Sequence, residues 1–151
     1  MPKRKVHLAT SGALGGLYAL YKCGDQPDST RFCELVGGIA GGCLGGRAPD
    51  VLDPPNLGPR HRGRAHSLAA GITVLNLNET QLRKWQDTCR GWAEDFAQKR
   101  GACSPDSQMR FVYTVADIGC RMLAGLIAGF LAGYVTHLAL DAFTPSSLNV
   151  I

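Results

Sequence analysis

Residues 122–140, MLAGLIAGFLAGYVTHLAL, contain a single ionisable side chain, His137. A helix of this length, at about 1.5 Å per residue, matches the hydrocarbon thickness of a bilayer. The run lies inside a longer helical pattern over residues 107–143, and it requires either lipid or a deep core around it. Its glycines narrow the choice of fold further. Gly125, Gly129 and Gly133 recur every fourth residue, and so do Gly37, Gly41 and Gly45 in LVGGIAGGCLGG. Small residues at that spacing let two helix backbones approach closely. In a solvated helix each glycine would instead cost up to about 1 kcal/mol relative to alanine. The pattern therefore predicts helices packed backbone to backbone.

The rest of the chain also reads as helical, because strand-like alternation is nearly absent. Residues 6–22 form a first helix. GDQPDSTRF is a turn, with Ser29 or Thr30 as the candidate N-cap, and residues 32–46 form a second helix. A third begins near Arg64 and runs through HSLAAGITVLNL. A polar amphipathic helix follows an Asn78, Glu79, Thr80 cap cluster, with Leu82, Trp85, Trp92 and Phe96 on its apolar side. GACSPDS links it to the long final helix, where Asp117 and Arg121 sit four residues apart just before the apolar run. The expected fold is all-α: a compact bundle of about five helices, Gly-rich and apolar, around a metal site. It forms one domain over residues 1–151, with residues 79–107 as a variable polar insert.

Charge and hydropathy bound the function classes. A net charge of +4 suits an anionic membrane face or an anionic substrate, not a dedicated nucleic-acid coat, and a mean hydropathy of −0.03 lies below that of a mostly membrane-embedded chain. The other apolar stretches, at roughly 15 residues, are short for membrane spans. The basic start PKRK fits a positive-inside orientation. The low hydropathy and the position of His137 within the span-length run count against a plain membrane span; a functional face at the cytoplasmic surface of the inner membrane reconciles them, with a soluble cytoplasmic protein as the alternative. Six cysteines lack any CxxC pairing and no secretory signal is evident, which favours a reducing compartment and free, buried thiols.

Ionisable groups concentrate in one proline-rich stretch, RAPDVLDPPNLGPRHRGRAHS, residues 47–67. Its four prolines exclude regular structure over most of its length. Asp50 and Asp53 share it with His61 and His66. The remaining histidines are His7 and His137, and Asp141 follows His137 by four residues, on the same helical face. Imidazoles and carboxylates are the usual nitrogen and oxygen ligands of zinc and similar ions. Each residue also has a plainer reading. His137 suits a satisfied core histidine and Asp141 its partner or a helix cap. Asp50 and Asp53 suit turn residues, and His61, Arg62, Arg64 and His66 a solvated basic patch or a lipid-headgroup contact.

The ordered set resembles the YdjM-like group of small membrane-bound proteins assigned as metal-dependent hydrolases. That group shows a His near the N-terminus, an acidic PD motif, an HR…HS motif and a C-terminal GY..H…D..TP motif. The counterparts are His7; Asp50 with Asp53; His61, Arg62, His66 and Ser67; and Gly133, Tyr134, His137, Asp141, Thr144 and Pro145. Two departures stand out. The two acids are three residues apart rather than two, and Ala65 stands where Thr often precedes the second His. The group in turn resembles the all-helical zinc phospholipases C and single-strand-specific nucleases.

The resemblance implies a helical metal site and hydrolysis of a phosphate ester: a phospholipid, a nucleotide or nucleic acid. Zinc is the first choice of metal, as one to three ions, with manganese or iron as alternatives. Asp50, His66, His137 and Asp141 would be the leading ligands, with His7 and Asp53 completing a second metal. His61 would ligate, orient or protonate the leaving oxygen, with Arg62 beside it in the catalytic set. Arg62 and Arg64 offer planar donors to phosphate oxygens, and Ser67 adds a hydroxyl. Membrane lipid is an expected partner, and a homo-oligomer is compatible with the sequence. The rival reading is a non-catalytic membrane protein that acts by helix packing or partner binding.

Overall fold

The computed structural model describes residues 4–52, 72–73, 76 and 78–142. Four long helices dominate the described residues rather than the expected five: α1 (Arg4–Cys23), α2 (Asp28–Gly45), α4 (Arg83–Ala102) and α5 (Gln108–Ala142). A single helical turn, α3 (Ala48–Leu52), follows α2, and a π-helical turn, Asn78–Leu82, leads into α4. The described residues contain no strand, in keeping with the all-α expectation. The helix expected from Arg64 onward lies almost wholly outside them.

Boundaries follow local chemistry, with small corrections. The second helix starts at Asp28, with Pro27 as N-cap and no side-chain cap, so neither Ser29 nor Thr30 caps it. Pro27 is a natural stop, because its fixed φ and missing N–H suit a helix entrance. The Asn78–Thr80 cluster is part of the π-turn, and no side chain caps α4. Ser107 accepts a hydrogen bond from the Met109 amide at 3.3 Å at the entrance of α5. Pro49 does not break the chain: it sits at the second position of α3, where its missing N–H costs no helical bond.

α2 is the centre of the bundle, held between α1 and α5. It runs parallel to α5, and the two glycine stripes face each other. A Cβ at Gly37, Gly41 or Gly45 would overlap the carbonyl oxygens of Met122, Leu126 and Phe130, respectively. Reciprocally, a Cβ at Gly125, Gly129 or Gly133 would overlap those of Glu34, Gly38 and Gly42. This close approach brings Cα–H groups against carbonyl oxygens across the interface. α1 crosses the other side of α2 in the antiparallel sense, where Gly15 fits against Gly38 and Gly42.

α4 docks on α5 and α2 through polar groups. Arg90 makes two bonds to Glu34, Nε to Oε1 at 2.8 Å and Nη2 to Oε2 at 2.7 Å, and a third to the Lys22 carbonyl at 3.1 Å. The Glu34 side chain is wholly buried, and its hydrogen bonds push the Arg90 guanidinium further above its usual range. Arg100 and Arg121 converge on Asp117 at 3.0 and 2.6 Å, and Gln86 donates to the Ala124 carbonyl at 3.2 Å. The buried stripe of α4 is thus Gln86, Cys89 and Ala93. Trp85 and Trp92, expected on the packed side, are 57 % and 56 % exposed. The positions that do face the bundle carry small or hydrogen-bonding side chains, with Gln86 bonded to the Ala124 carbonyl.

Polarity is inverted relative to a water-soluble bundle. His7, Ser11, Thr30, Glu34, Asp117, Thr136, His137 and Asp141 are buried. Leu14, Leu17 and Tyr21 of α1, Phe32, Val36 and Ile39 of α2, and Phe111, Val115 and Ile118 of α5 are exposed. Such a surface suits lipid rather than water. α5 is the one described helix long and apolar enough to cross a membrane. The cysteines are only partly as expected: Cys23 and Cys89 are buried, whereas Cys33, Cys43, Cys103 and Cys120 are half-buried. Burial pushes the Cys89 thiol up, which keeps it protonated and unreactive.

Two substitutions at glycine should separate packing from helix propensity. Gly41→Ala forces a methyl into the Leu126 carbonyl and should cost about 2 kcal/mol or more, read as a lowered melting temperature in detergent. Gly91→Ala meets nothing within 4 Å and should stabilise by roughly 0.5–1 kcal/mol. Removing one partner of the buried pair, in Glu34→Ala, should cost about 3–5 kcal/mol. Faster proteolysis within α4 would report the undocking of that helix.

Candidate metal centre

The end of the bundle opposite the Glu34–Arg90 pair brings together His7 and His137, the two histidines among the described residues. His7 lies in the second turn of α1, Asp50 in α3, and His137 and Asp141 in the last turns of α5. The four-residue spacing of His137 and Asp141 puts both on one face, with Nε2 to Oδ2 at 3.5 Å. His7 Nε2 approaches the other Asp141 oxygen at 3.9 Å. The two imidazole rings lie 4.9 Å apart, centroid to centroid, inclined at 49°. Asp50 reaches His137 Nε2 at 3.6 Å from the rim, its side chain 45 % exposed.

Packing explains why these groups converge. The glycine contacts fix the register of α2 on α5, so that α3 begins beside the last turns of α5. Gly46 makes the turn after α2 pass close to α1, where a Cβ would collide with the Ser11 side chain. Ser11, one helical turn after His7, donates to the Gly133 carbonyl at 3.3 Å, one turn before His137. That buried bond ties α1 to α5 directly below the cluster. Ser11 was not among the expected residues. Its i,i+4 spacing from His7 was the available signal, because that spacing places it on the same inward face.

His7, His137 and Asp141 are all buried, and one ligand atom from each lies within 4.8 Å of the others. Two imidazole nitrogens with carboxylate oxygens form a donor set suited to zinc and acceptable to manganese or iron. Burial of all three would strengthen every electrostatic interaction among them. His7 and Asp50 also line a cavity of about 350 Å³, together with Lys5, Leu8, Gly46 and Arg47.

Of the residues expected to form the site, the structure brings together His7, Asp50, His137 and Asp141. Asp53, His61, Arg62, Arg64, His66 and Ser67 lie outside the described residues, as do Thr144 and Pro145. Tyr134 is buried within α5 one turn before Leu138. Lys5 and Arg47, which line the cavity mouth, were not singled out in the sequence.

Fold and site define a class of protein: a small, glycine-packed helical membrane protein with polar groups turned inward and a His/Asp cluster at one end. The family model described as YdjM inner membrane protein matches residues 1–151, and the chain belongs to that family. No curated protein and no solved structure matches it.

Proposed function

We propose that this protein is a metal-dependent hydrolase of phosphate esters, acting at the cytoplasmic face of the inner membrane. The observation that carries the reading is the buried convergence of His7, His137 and Asp141 from opposite ends of the chain. Burial of two imidazoles and a carboxylate among apolar helices is costly unless they pair with one another or share an ion, and their convergence permits both. His7, His137 and Asp141 would hold the metal, with Asp50 closing the set from the rim. The sequence resemblance adds His66 and Asp53 as further ligands. A bound divalent ion supplies a Lewis acid and a water acidic enough to ionise near neutral pH.

The protein's own groups would do the rest. Asp141 bridges the two imidazoles and fixes their orientation, and the Ser11–Gly133 bond holds α1 in place beneath them. The sequence resemblance would give His61 the role of protonating the leaving oxygen, and Arg62, Arg64 and Ser67 that of contacting the phosphate. The likeness to zinc phospholipases C and single-strand nucleases supports a phosphoester rather than a peptide substrate, with phospholipid, nucleotide and nucleic acid all in range.

A non-catalytic membrane protein is the competing reading, and the glycine packing favours it as much as it favours the enzyme. Metal content separates the two. Protein purified gently in detergent should carry at least one equivalent of zinc, manganese or iron by elemental analysis, and His137→Ala should carry less than a tenth of that. Added zinc should raise the melting temperature of the metal-stripped protein but not that of His137→Ala. Short-chain phospholipid, phosphodiester and single-stranded DNA substrates assayed side by side should show activity that His137→Ala loses. Metal below one equivalent in the wild type, or hydrolysis that survives the substitution, would refute the enzyme reading.

A further inference from the structure

We infer that the cavity between α1 and the α2–α3 corner is a phosphate-binding subsite, with Lys5 and Arg47 as the groups that hold the anion. The inference names a recognition element for the hydrolase reading and rests on that reading for its catalytic meaning. The binding itself is argued from the cavity alone.

The cavity lining is largely apolar and carries four ionisable groups: His7 and Asp50, both in the candidate metal centre, and the two cations Lys5 and Arg47. Both cationic residues are exposed, and no ion pair joins either of them to a described carboxylate. Two cations against the single carboxylate of Asp50 leave the cavity lining with a net positive charge, which favours an anion. An Arg guanidinium and a Lys ammonium are the usual planar and point-charge partners of phosphate oxygens. The volume, about 350 Å³, falls at the lower end of ligand pockets, which run from roughly 300 to 1,000 Å³. It accommodates a phosphate group with a small substituent.

The surroundings bear on where the phosphate comes from. Val6, Leu44, Val51 and Leu52, the sequence neighbours of Lys5, Arg47 and Asp50, are exposed apolar side chains. A cationic rim among exposed apolar residues fits the headgroup of an anionic lipid, whose chains would lie along those side chains. A soluble phosphate ester shares the same charged chemistry without that apolar contact.

Calorimetric titration of full-length protein in a neutral detergent tests the assignment, with inorganic phosphate and dihexanoyl phosphatidic acid as the two probes. Wild type should bind at least one of them. Lys5→Ala/Arg47→Ala should bind that probe at least about tenfold more weakly, the loss expected for charge-assisted hydrogen bonds. It should keep the wild-type zinc stoichiometry and melting temperature, since both side chains are exposed. Arg83→Ala/Lys84→Ala, which removes two exposed cations of α4, should bind as wild type. Tighter binding of the lipid than of inorganic phosphate assigns a lipid headgroup, and equal binding assigns a soluble phosphate ester. No binding of either probe by wild type, or undiminished binding by Lys5→Ala/Arg47→Ala, overturns the subsite. Cation-dependent phosphate binding in a protein that holds no metal would refute the hydrolase reading and leave the subsite standing.

Discussion

The backbone contact between α2 and α5 is the constraint on which the rest of this molecule depends. Six glycines, three on each helix, remove the side chains that would otherwise separate the two axes, and carbonyl oxygens fill the space. Dispersion and Cα–H···O contacts over such a surface are individually weak. Their value lies in geometry, because a stripe of glycines on one face permits only one rotation and one register. A shift of a single residue would turn each stripe by about 100° and drive neighbouring side chains into the seam. With α2 fixed, α1 has its own glycine-lined groove, and the α2–α3 corner is delivered to the last turns of α5.

Charge is arranged around this seam in two separate layers. At one end, Glu34, Arg90, Asp117, Arg100 and Arg121 pair among themselves and hold α4 in place. Their charges are consumed in structure. At the other end, two histidines and two aspartates meet with the cationic rim of the cavity beside them. Between the layers lie apolar and small residues, and the exposed surface there is aliphatic and aromatic. A chain that places carboxylates inside and leucines outside has lipid for its solvent.

Much of this was legible in the sequence, and the misses have physical causes. The last helix was expected over residues 107–143 and spans Gln108–Ala142, because a long apolar run between polar ends leaves little freedom. Pairs within one helix, Asp117 with Arg121 and His137 with Asp141, followed from i,i+4 spacing alone. The glycine stripes foretold close packing, although not that α2 would face α5 in parallel. The meeting of His7 with His137 is a long-range contact that periodicity cannot supply, and only the ordered family motifs pointed to it. Trp85 and Trp92 were misplaced because the hydrophobic pattern assumed an apolar groove. The buried positions of α4 are instead Gln86, Cys89 and Ala93, and Gln86 bonds the Ala124 carbonyl.

The distribution of the site along the chain carries a consequence for biosynthesis. His7 and Asp50 belong to the α1–α2–α3 segment, which leaves the ribosome first and can form its own glycine-packed hairpin. His137 and Asp141 lie some 85 residues or more beyond Asp50, in the last described helix. The His/Asp cluster is complete only when α5 slots against α2, after nearly all of the described chain has been made. Docking of that helix is therefore the last step of assembly: a half-made or misassembled chain holds His7 and Asp50 apart from the buried partners that α5 brings.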